Sequence, residues 1–237
     1  TDYCVYVRGV CGVGDTSMYF GPHCFKTRCT STMSGIYTIN SAVATGGTNY
    51  ASFADAMNAL YSCGISAPTT FHVKQGTYTE QVNISSILGT STTNTVTFKP
   101  DPTNTTAAIL EFPATTSIGN YVVQFDGADN IIFDSLTVNA TGASYGYGFR
   151  FMNADYVTIK NCNINCASNT SSLQVPIYNQ SGVANMTQNC TIENNTMTKG
   201  YYAMYWYGGS TTAKEIGNVV KNNSFTGFYY YGVRFYY

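Results

Sequence analysis

An internal repeat fills the second half of the chain and limits the folds that the chain can adopt. Five segments in which two apolar residues flank a variable one mark the repeat at regular intervals: Val123-Gln124-Phe125, Phe149-Arg150-Phe151, Val175-Pro176-Ile177, Met204-Tyr205-Trp206 and Val233-Arg234-Phe235. A repeat of this length without a helical pattern is typical of one turn of a parallel β-solenoid. Such a turn cannot bury its apolar face alone, so successive turns stack and share one continuous core.

Further columns of residues run in the same register. Two columns are apolar: Phe133, Ile159, Ile192, Val220, and Val138, Ile164, Met197, Phe225. Two others are rich in Asn: Leu136, Cys162, Asn195, Asn223, and Ser135, Asn161, Asn194, Asn222. Each apolar column predicts a stack of core residues, and residues 71–237 hold roughly six turns. The Asn columns predict bends, because Asn tolerates a left-handed backbone and stacked side-chain amides bond to one another.

The composition of the chain excludes two classes of protein. Charged residues make up 10% of the chain and the net charge is −1, so there is no basic patch that could bind nucleic acid. No apolar run approaches the roughly 20 residues of a membrane-spanning helix. We therefore predict no nucleic-acid partner and no membrane span, and no motif indicates a cofactor.

One segment before the repeat has a helical pattern. Phe53, Ala56, Met57 and Leu60 fall on one apolar face, which predicts a helix over residues 51–62. Asn49 or Ser52 can cap its start, and Gly64 can take the left-handed conformation that ends it. We therefore divide the chain into a Cys-rich head and connector, residues 1–48, and a β-helix with its capping helix, residues 49–237.

All eight cysteines are candidates for disulfide bonds: Cys4, Cys11, Cys24, Cys29, Cys63, Cys162, Cys166 and Cys190. The first four crowd the start of the chain, where aliphatic side chains are few, so disulfides are a better stabiliser of this head than burial is. A zinc site is the competing interpretation, but the spacings lack the C-x-x-C of a zinc knuckle. For the three cysteines inside the repeat, a disulfide across turns and buried free thiols both remain open.

Nine Asn-x-Ser/Thr triplets are candidate glycosylation sites: Asn83, Asn104, Asn139, Asn169, Asn179, Asn185, Asn189, Asn194 and Asn222. Together with the disulfide pattern they favour a secreted or cell-surface protein. A chain so rich in Asn, Ser and Thr also produces such triplets by chance.

The segments around the helix carry a resemblance to a known superfamily. The helix followed by Val73, Gly76-Thr77-Tyr78, Glu80, Val82 and Ile84 resembles the start of right-handed parallel β-helices of the pectate lyase and pectin methylesterase superfamily. Segments such as Gly76-Thr77-Tyr78-Thr79-Glu80-Gln81 and Asp126-Gly127-Ala128-Asp129-Asn130 resemble secreted surface proteins of Bacteroidota, in which such repeats follow a Cys-bearing module. The resemblance covers about residues 35–165. It implies an all-β, right-handed, single-stranded, pectin-lyase-like solenoid and export from the cell.

The resemblance also implies what an active enzyme of this superfamily would need: paired carboxylates, or a Ca²⁺ site with a basic arginine. We assign no catalytic residue and no metal ligand, because the adjacent Asp pair and the His-Gly of polygalacturonases are absent from the sequence. The candidates for an acid or cation site are Asp126, Asp129 and Asp155, and the last two lie one repeat apart. The alternative is that these residues cap turns by bonding backbone amides. Arg150 and Arg234 are either solvated outward residues or a substrate clamp.

Aromatic residues crowd the segment 201–237. The register pairs Tyr202 with Tyr231 and Trp206 with Phe235. The candidates for an interface or for stacking on glycans are Tyr229, Tyr230, Tyr231, Phe235, Tyr236 and Tyr237. The sequence ends in a strand without a cap, which predicts a continuation of the chain, a following domain or a second copy stacked head to tail.

Two classes of function fit these features. The first is an extracellular structural or adhesive protein, with head-to-tail self-association as a route to a filament. The alternative is a carbohydrate-active enzyme, such as a polysaccharide lyase or hydrolase, or a glycan-binding module on the same scaffold. The missing catalytic motifs, the scarce carboxylates and the open aromatic end favour the first class. The fold alone does not decide between the two classes, because a scaffold does not imply a function.

Overall fold

The structure is a computed structural model that describes residues 2–26, 29, 31–168, 170–182 and 184–236. One helix, α1, spans Phe53–Cys63. The strands before and after it are β1 (Asp2–Val7), β2 (Val10–Gly12), β3 (Asp15–Thr16), β4 (Phe20–Lys26), β5 (Met33–Ile39), β6 (Asn49–Tyr50), β7 (Ile65–Val73), β8 (Gly76–Thr79), β9 (Val82–Ser85), β10 (Val96–Pro100), β11 (Ala108–Phe112) and β12 (Val123–Asp126). The repeat region continues with β13 (Ile131–Asp134), β14 (Thr137–Ala140), β15 (Gly146–Met152), β16 (Thr158–Lys160), β17 (Asn163–Cys166), β18 (Gln174–Gln180), β19 (Thr191–Glu193), β20 (Thr196–Thr198), β21 (Tyr202–Tyr207), β22 (Val219–Lys221), β23 (Ser224–Thr226) and β24 (Tyr231–Tyr236).

Three parallel sheets wrap around one core. The first sheet has the order β22-β19-β16-β13-β10-β7-β5-β6, the second β23-β20-β17-β14-β11-β8, and the third β24-β21-β18-β15-β12-β9. Each turn of the chain therefore contributes one strand to each sheet, and the chain from β7 to β24 makes six turns. This confirms the predicted parallel β-helix and its number of turns.

The apolar columns stack as the repeat predicts. Ile159 pairs with Phe133 on one side and with Ile192 on the other, and Val220 follows in the next turn. The column also extends to Phe98, whose ring stacks on Phe133 at 5.1 Å between centroids. In the second sheet, the predicted column pairs in the same way: Val138, Ile164, Met197 and Phe225. These stacks form a continuous core, because each inward side chain covers the one in the neighbouring turn.

One predicted register is wrong by two positions. Phe149 pairs with Ile177 rather than with Val175, and Ile177 then pairs with Met204. Tyr178 therefore occupies the middle position that the sequence analysis gave to Pro176. Side chains on a strand alternate with a period of two, so a shift of two positions keeps apolar side chains inward and the apolar pattern cannot exclude it.

The Asn columns form the bends between the first and second sheets. The members of the outer column all have a left-handed backbone, with φ between 56° and 60°: Ser135, Asn161, Asn194 and Asn222. The buried Asn195 side chain accepts a hydrogen bond from the Cys162 amide at 2.9 Å and donates one to the Ile159 carbonyl oxygen at 2.9 Å. The predicted Asn ladder is thereby confirmed, and it satisfies backbone groups that face the core.

The helix begins two positions after its predicted start. The Ser52 hydroxyl accepts a hydrogen bond from the Asp55 amide at 3.0 Å, as expected for the cap, and Gly64 ends the helix with φ of 63°. The Glu80 carboxylate adds a second cap, because it accepts hydrogen bonds from the amides of Phe53 and Ala54. The strand β5 lies before the helix and pairs with β7, so it extends the first sheet. The division of the chain at residue 48 stays a prediction.

The cysteines divide into two groups. Disulfide bonds join Cys4 to Cys24, across the paired strands β1 and β4, and Cys29 to Cys63 at the end of the helix. Of the two possibilities left open for the repeat cysteines, the structure has buried free thiols: Cys162, Cys166 and Cys190 form no disulfide, and the candidate Cys11 is an exposed thiol. The buried sulfur atoms point into the core and contact carbonyl oxygens, and burial raises the pKa of Cys162 and of Cys190 to about 12.

No helix in the described part of the chain is long and apolar enough to cross a membrane.

Candidate functional site

The outward face of the third sheet carries a column of large polar side chains. Along the six turns it runs Asn83, Gln124, Arg150, Tyr178, Tyr205 and Arg234. These are the middle residues of the repeated strand segment, so they alternate with the apolar residues that point into the core. The sequence analysis placed Arg150, Tyr205 and Arg234 in this column, and the corrected register adds Tyr178.

Three tyrosines form a stack along this face. The rings of Tyr147 and Tyr178 are parallel within 4°, with centroids 4.0 Å apart, and those of Tyr178 and Tyr205 are parallel within 11°, at 5.3 Å. The Arg234 guanidinium lies over the ring of Tyr205, 5.4 Å from the ring centroid. We call Tyr147, Tyr178 and Tyr205 the tyrosine stack. It spans the middle turns of the rod and ends in a cation–π contact.

The tyrosine stack belongs to a small apolar cluster that is separate from the main core. Its buried members are Tyr147, Val175 and Tyr202, and partly buried side chains pack against them: Tyr121, Leu173, Tyr178, Tyr201 and Tyr205. Burial raises the pKa of Tyr147, Tyr178 and Tyr205 above the ordinary value of 10. The phenols are therefore neutral hydrogen-bonding groups across the physiological pH range.

Arg234 is held in place by its neighbours. Its Nη1 donates a hydrogen bond to the Tyr202 hydroxyl at 2.9 Å, and the guanidinium also lies 5.5 Å from the Tyr202 ring centroid. Arg150, further along the same column, donates a hydrogen bond to the Ile118 carbonyl oxygen at 3.3 Å. Tyr178 and Tyr205 therefore lie between the two arginines in the column.

Gln124 is the most enclosed member of the column. Its side chain is 7% exposed, and its Nε2 donates a hydrogen bond to the Asn83 Oδ1 at 3.0 Å. Its Oε1 has no hydrogen-bond partner among the described residues. This oxygen atom is itself buried, so the Gln124 side chain is enclosed by its neighbours rather than open on the surface.

The predicted aromatic candidates lie at the C-terminal end of this face. Tyr229, Tyr230 and Tyr231 are exposed, and the Tyr229 ring lies 5.3 Å from Tyr201. Phe235 is also exposed, and Tyr236 stacks on Tyr207 at 5.1 Å. The predicted pairs Tyr202–Tyr231 and Trp206–Phe235 are present. Tyr237 lies outside the described residues.

The three acidic candidates do not form one site. The Asp129 carboxylate accepts a hydrogen bond from the Asp155 amide at 2.8 Å, and the Asp155 carboxylate accepts one from the Gln188 amide at 2.7 Å. Both therefore cap the following turn, as the alternative interpretation held, and burial raises the pKa of Asp129. Asp126 lies exposed at the end of β12. Among the described residues, no three His, Cys, Asp or Glu side chains lie close enough together to hold a metal ion.

The glycosylation candidates differ in accessibility. Asn83, Asn185, Asn194 and Asn222 are exposed, whereas Asn104, Asn139 and Asn189 are partly buried. Asn179 is corrected as a candidate, because it is fully buried at an inward position of β18 and its Nδ2 donates a hydrogen bond to the Tyr207 carbonyl oxygen. Asn169 lies outside the described residues.

Comparison with known proteins gives similarity of fold alone. No family model and no curated protein matches the sequence. A rhamnogalacturonan lyase structure matches with a TM-score of 0.53 and 13% identity over 86% of this chain and 52% of the lyase. The pectin methylesterase of Aspergillus niger matches with a TM-score of 0.49 and 16% identity over 84% of this chain and 59% of the esterase. The chain thus spans between half and three fifths of these structures. The match to the lyase confirms the right-handed parallel β-helix fold.

Three aromatic members of the apolar cluster were not predicted from the sequence: Tyr121, Tyr147 and Tyr178. They lie outside the aromatic C-terminal segment. Tyr178 could have been found from the column itself, because placing Ile177 opposite Phe149 puts Tyr178 between Arg150 and Tyr205.

Proposed function

We propose that this protein is an exported polysaccharide-binding β-helix and that the outward face of the third sheet is its binding surface. The observation that carries the proposal is the tyrosine stack, which ends at the guanidinium of Arg234 and has Arg150 opposite Tyr178 in the neighbouring turn.

The chemistry of this face matches that of a sugar chain. Tyrosine rings present apolar edges and a hydroxyl at the same time, and a pyranose likewise has an apolar face and hydroxyl groups. The guanidinium groups supply hydrogen-bond donors. Positions on this face repeat about every 4.8 Å along the rod, so a linear polymer can contact several turns at once.

Export is supported by the disulfides. Bonds between Cys4 and Cys24 and between Cys29 and Cys63 form and persist in oxidising compartments. A rhamnogalacturonan lyase that shares the fold acts, by its name, on a polysaccharide. We propose binding rather than catalysis, because Asp129 and Asp155 are engaged by backbone amides and do not face the tyrosine stack as a pair.

Affinity electrophoresis of the full chain in gels that contain polygalacturonan, rhamnogalacturonan or a neutral galactan tests the proposal. We expect retardation in at least one of these gels, and about tenfold weaker binding for Tyr205→Ser, which removes the ring between Tyr178 and Arg234. Lys160→Gln, on the first sheet, is the matched control and should bind like the native chain. Equal retardation of Tyr205→Ser and the native chain would overturn the proposal, as would migration unaffected by every polysaccharide.

A further inference from the structure

Charged side chains are arranged differently on the first and the third sheet. The ion pairs among the described residues lie on or beside the first sheet: Lys160 with Asp134 at 3.4 Å, Lys221 with Glu193 at 2.9 Å and Lys74 with Asp101 at 3.0 Å. The strands of the third sheet carry Arg150 and Arg234, and their one acidic residue is Asp126 at the exposed end of β12. Within the described part of the chain, neither arginine forms an ion pair. These strands therefore carry an excess of positive charge in a chain whose net charge is −1.

Both guanidinium groups keep hydrogen-bond donors for a further partner. A guanidinium carries five N–H donors. Arg150 uses one of them on the Ile118 carbonyl oxygen, and Arg234 uses one on the Tyr202 hydroxyl. Both arginines are partly exposed, so their other donors can reach a bound molecule. Because the planar group matches the oxygen atoms of an acidic group, such a group is the partner that these donors fit best.

The position of Arg234 is set by aromatic rings. Its guanidinium carbon lies 5.5 Å from the ring centroid of Tyr202, 5.4 Å from that of Tyr205 and 5.7 Å from that of Tyr236. Such cation–π contacts hold a cation without neutralising its charge. A carboxylate in the same place would cancel that charge, so the rings leave it available to a ligand.

Tyr202 is the neighbour that holds this guanidinium by a hydrogen bond. Its hydroxyl accepts the bond from Nη1 of Arg234 at 2.9 Å. Tyr202 is 8% exposed, belongs to the buried part of the apolar cluster and stacks on Tyr231 with the ring centroids 6.2 Å apart. A side chain so enclosed has little surface for a bound polymer, so Tyr202 acts on a ligand through Arg234.

We infer that the outward face of the third sheet selects polysaccharides with acidic groups, that Arg150 and Arg234 bind those groups, and that Tyr202 positions Arg234. The inference rests on the proposed function, because it assigns the ligand class of the same surface. The two arginines are three turns apart, roughly 14 Å at the strand spacing of a β-sheet. One polymer can therefore place two acidic groups on the arginines while the sugar residues between them contact Tyr178 and Tyr205.

Isothermal titration calorimetry of the full chain tests the inference with three galactose-based polymers: polygalacturonan, which carries carboxylates, carrageenan, which carries sulfates, and a neutral galactan. We expect at least one acidic polymer to bind about tenfold more tightly than the neutral galactan and to lose affinity as salt is added. Arg150→Gln and Arg234→Gln should each weaken that binding by about tenfold and leave binding of the neutral galactan unchanged. Lys160→Gln, which removes a positive charge from the first sheet, is the matched control and should bind like the native chain.

Tyr202→Phe keeps the ring and removes the hydroxyl that holds Arg234. We expect about threefold weaker binding of the acidic polymer and no change for the neutral galactan. In a chain that already carries Arg234→Gln, Tyr202→Phe should have no further effect, a result that a purely structural role of Tyr202 would not give. Tyr78→Phe is the matched control, because it removes a buried hydroxyl that donates to the Ile39 carbonyl oxygen, away from the third sheet.

The selection of acidic polymers is overturned if the neutral galactan binds as tightly as both acidic polymers, or if the two arginine variants bind the acidic polymers like the native chain. The role of Tyr202 is overturned if Tyr202→Phe weakens binding of all polymers equally, or if its effect persists beside Arg234→Gln. In these cases the proposed function stands as long as Tyr205→Ser weakens binding. Failure of every polymer to bind overturns the inference and the proposed function together.

Discussion

At the scale of single residues, Asn195 shows how a side chain can hold a bend of the solenoid. It is buried, and its amide group binds both the Cys162 amide and the Ile159 carbonyl oxygen. We expect Asn195→Ala to lower the free energy of unfolding by about 3 kcal/mol, because two buried backbone groups lose their partner. Urea unfolding measures the loss. The control is Asn165→Ala at an outward position, which should lower the free energy of unfolding by less than about 1 kcal/mol. Equal losses for the two variants would contradict the stabilising role of the buried Asn side chains.

Asp101 gives the protein a defined acid sensitivity. Hydrogen bonding from the Thr103 hydroxyl, together with Lys74 at 3.0 Å, lowers the pKa of Asp101 from 3.8 to about 2. The folded state thus favours the ionised carboxylate, and its contribution is present above about 3.8 and is lost as the pH falls through about 2. We expect the stability difference between the native chain and Asp101→Asn to shrink over that window in acid titrations of the melting temperature. A constant difference would count against this coupling.

At the scale of elements, one disulfide joins the head to the helix and another closes the head on itself, while the repeat relies on packing. Four of the eight cysteines are paired and three of the thiols are buried. We expect a thiol reagent to modify Cys11 in the folded protein and three further thiols only after unfolding, because burial raises the pKa of Cys162 and Cys190 to about 12. Mass spectrometry without reduction counts the modified sites. Rapid modification of more than one thiol in the folded protein would show that the repeat cysteines are accessible.

The strands of the first sheet depend on their inward residues. Replacing Ile159 by Asp would place a charge between Phe133 and Ile192. We expect a loss of several kcal/mol and unfolding of the middle turns, since an unpaired buried charge is strongly unfavourable. Thr191→Asp puts the same charge on the outward side of a neighbouring strand and should melt close to the native temperature. Circular dichroism compares the two, and similar melting of both would contradict the observed register.

The same element scale shows what the sequence can and cannot predict. The sequence alone predicts the column of Phe133, Ile159 and Ile192, because the inward positions of a repeat must be apolar. The register of Ile177 could not, because the longer connection before β18 permits a shift by two positions that keeps the same faces inward. The tyrosine stack could not be predicted without that register, because its members contact each other only when Tyr178 lies opposite Arg150 and Tyr205.

At the scale of the whole molecule, the predicted shape is confirmed and the predicted assembly stays a prediction. The stacked turns and their approximate number follow from the repeat, because each turn needs its neighbours to bury its apolar side chains. The repeat length left two or three strands per turn open, and the structure has three. Head-to-tail association depended on how the sequence ends, which is a separate matter from the folding of the rod.

The pairing between turns has a mechanical consequence. The residues of the first-sheet column pair in succession but are unevenly spaced along the chain: Phe133, Ile159, Ile192 and Val220. Each turn therefore contains a different number of residues, which depends on the length of its loops. Tension applied along the rod should detach turns one after another from the C-terminal side, and each should release about 90 to 110 Å of extended chain. A single-molecule pulling trace should therefore be a staircase with unequal steps. One abrupt extension of the whole repeat would mean that the turns yield together, and the rod would then act as a brittle fibre rather than as an extensible one.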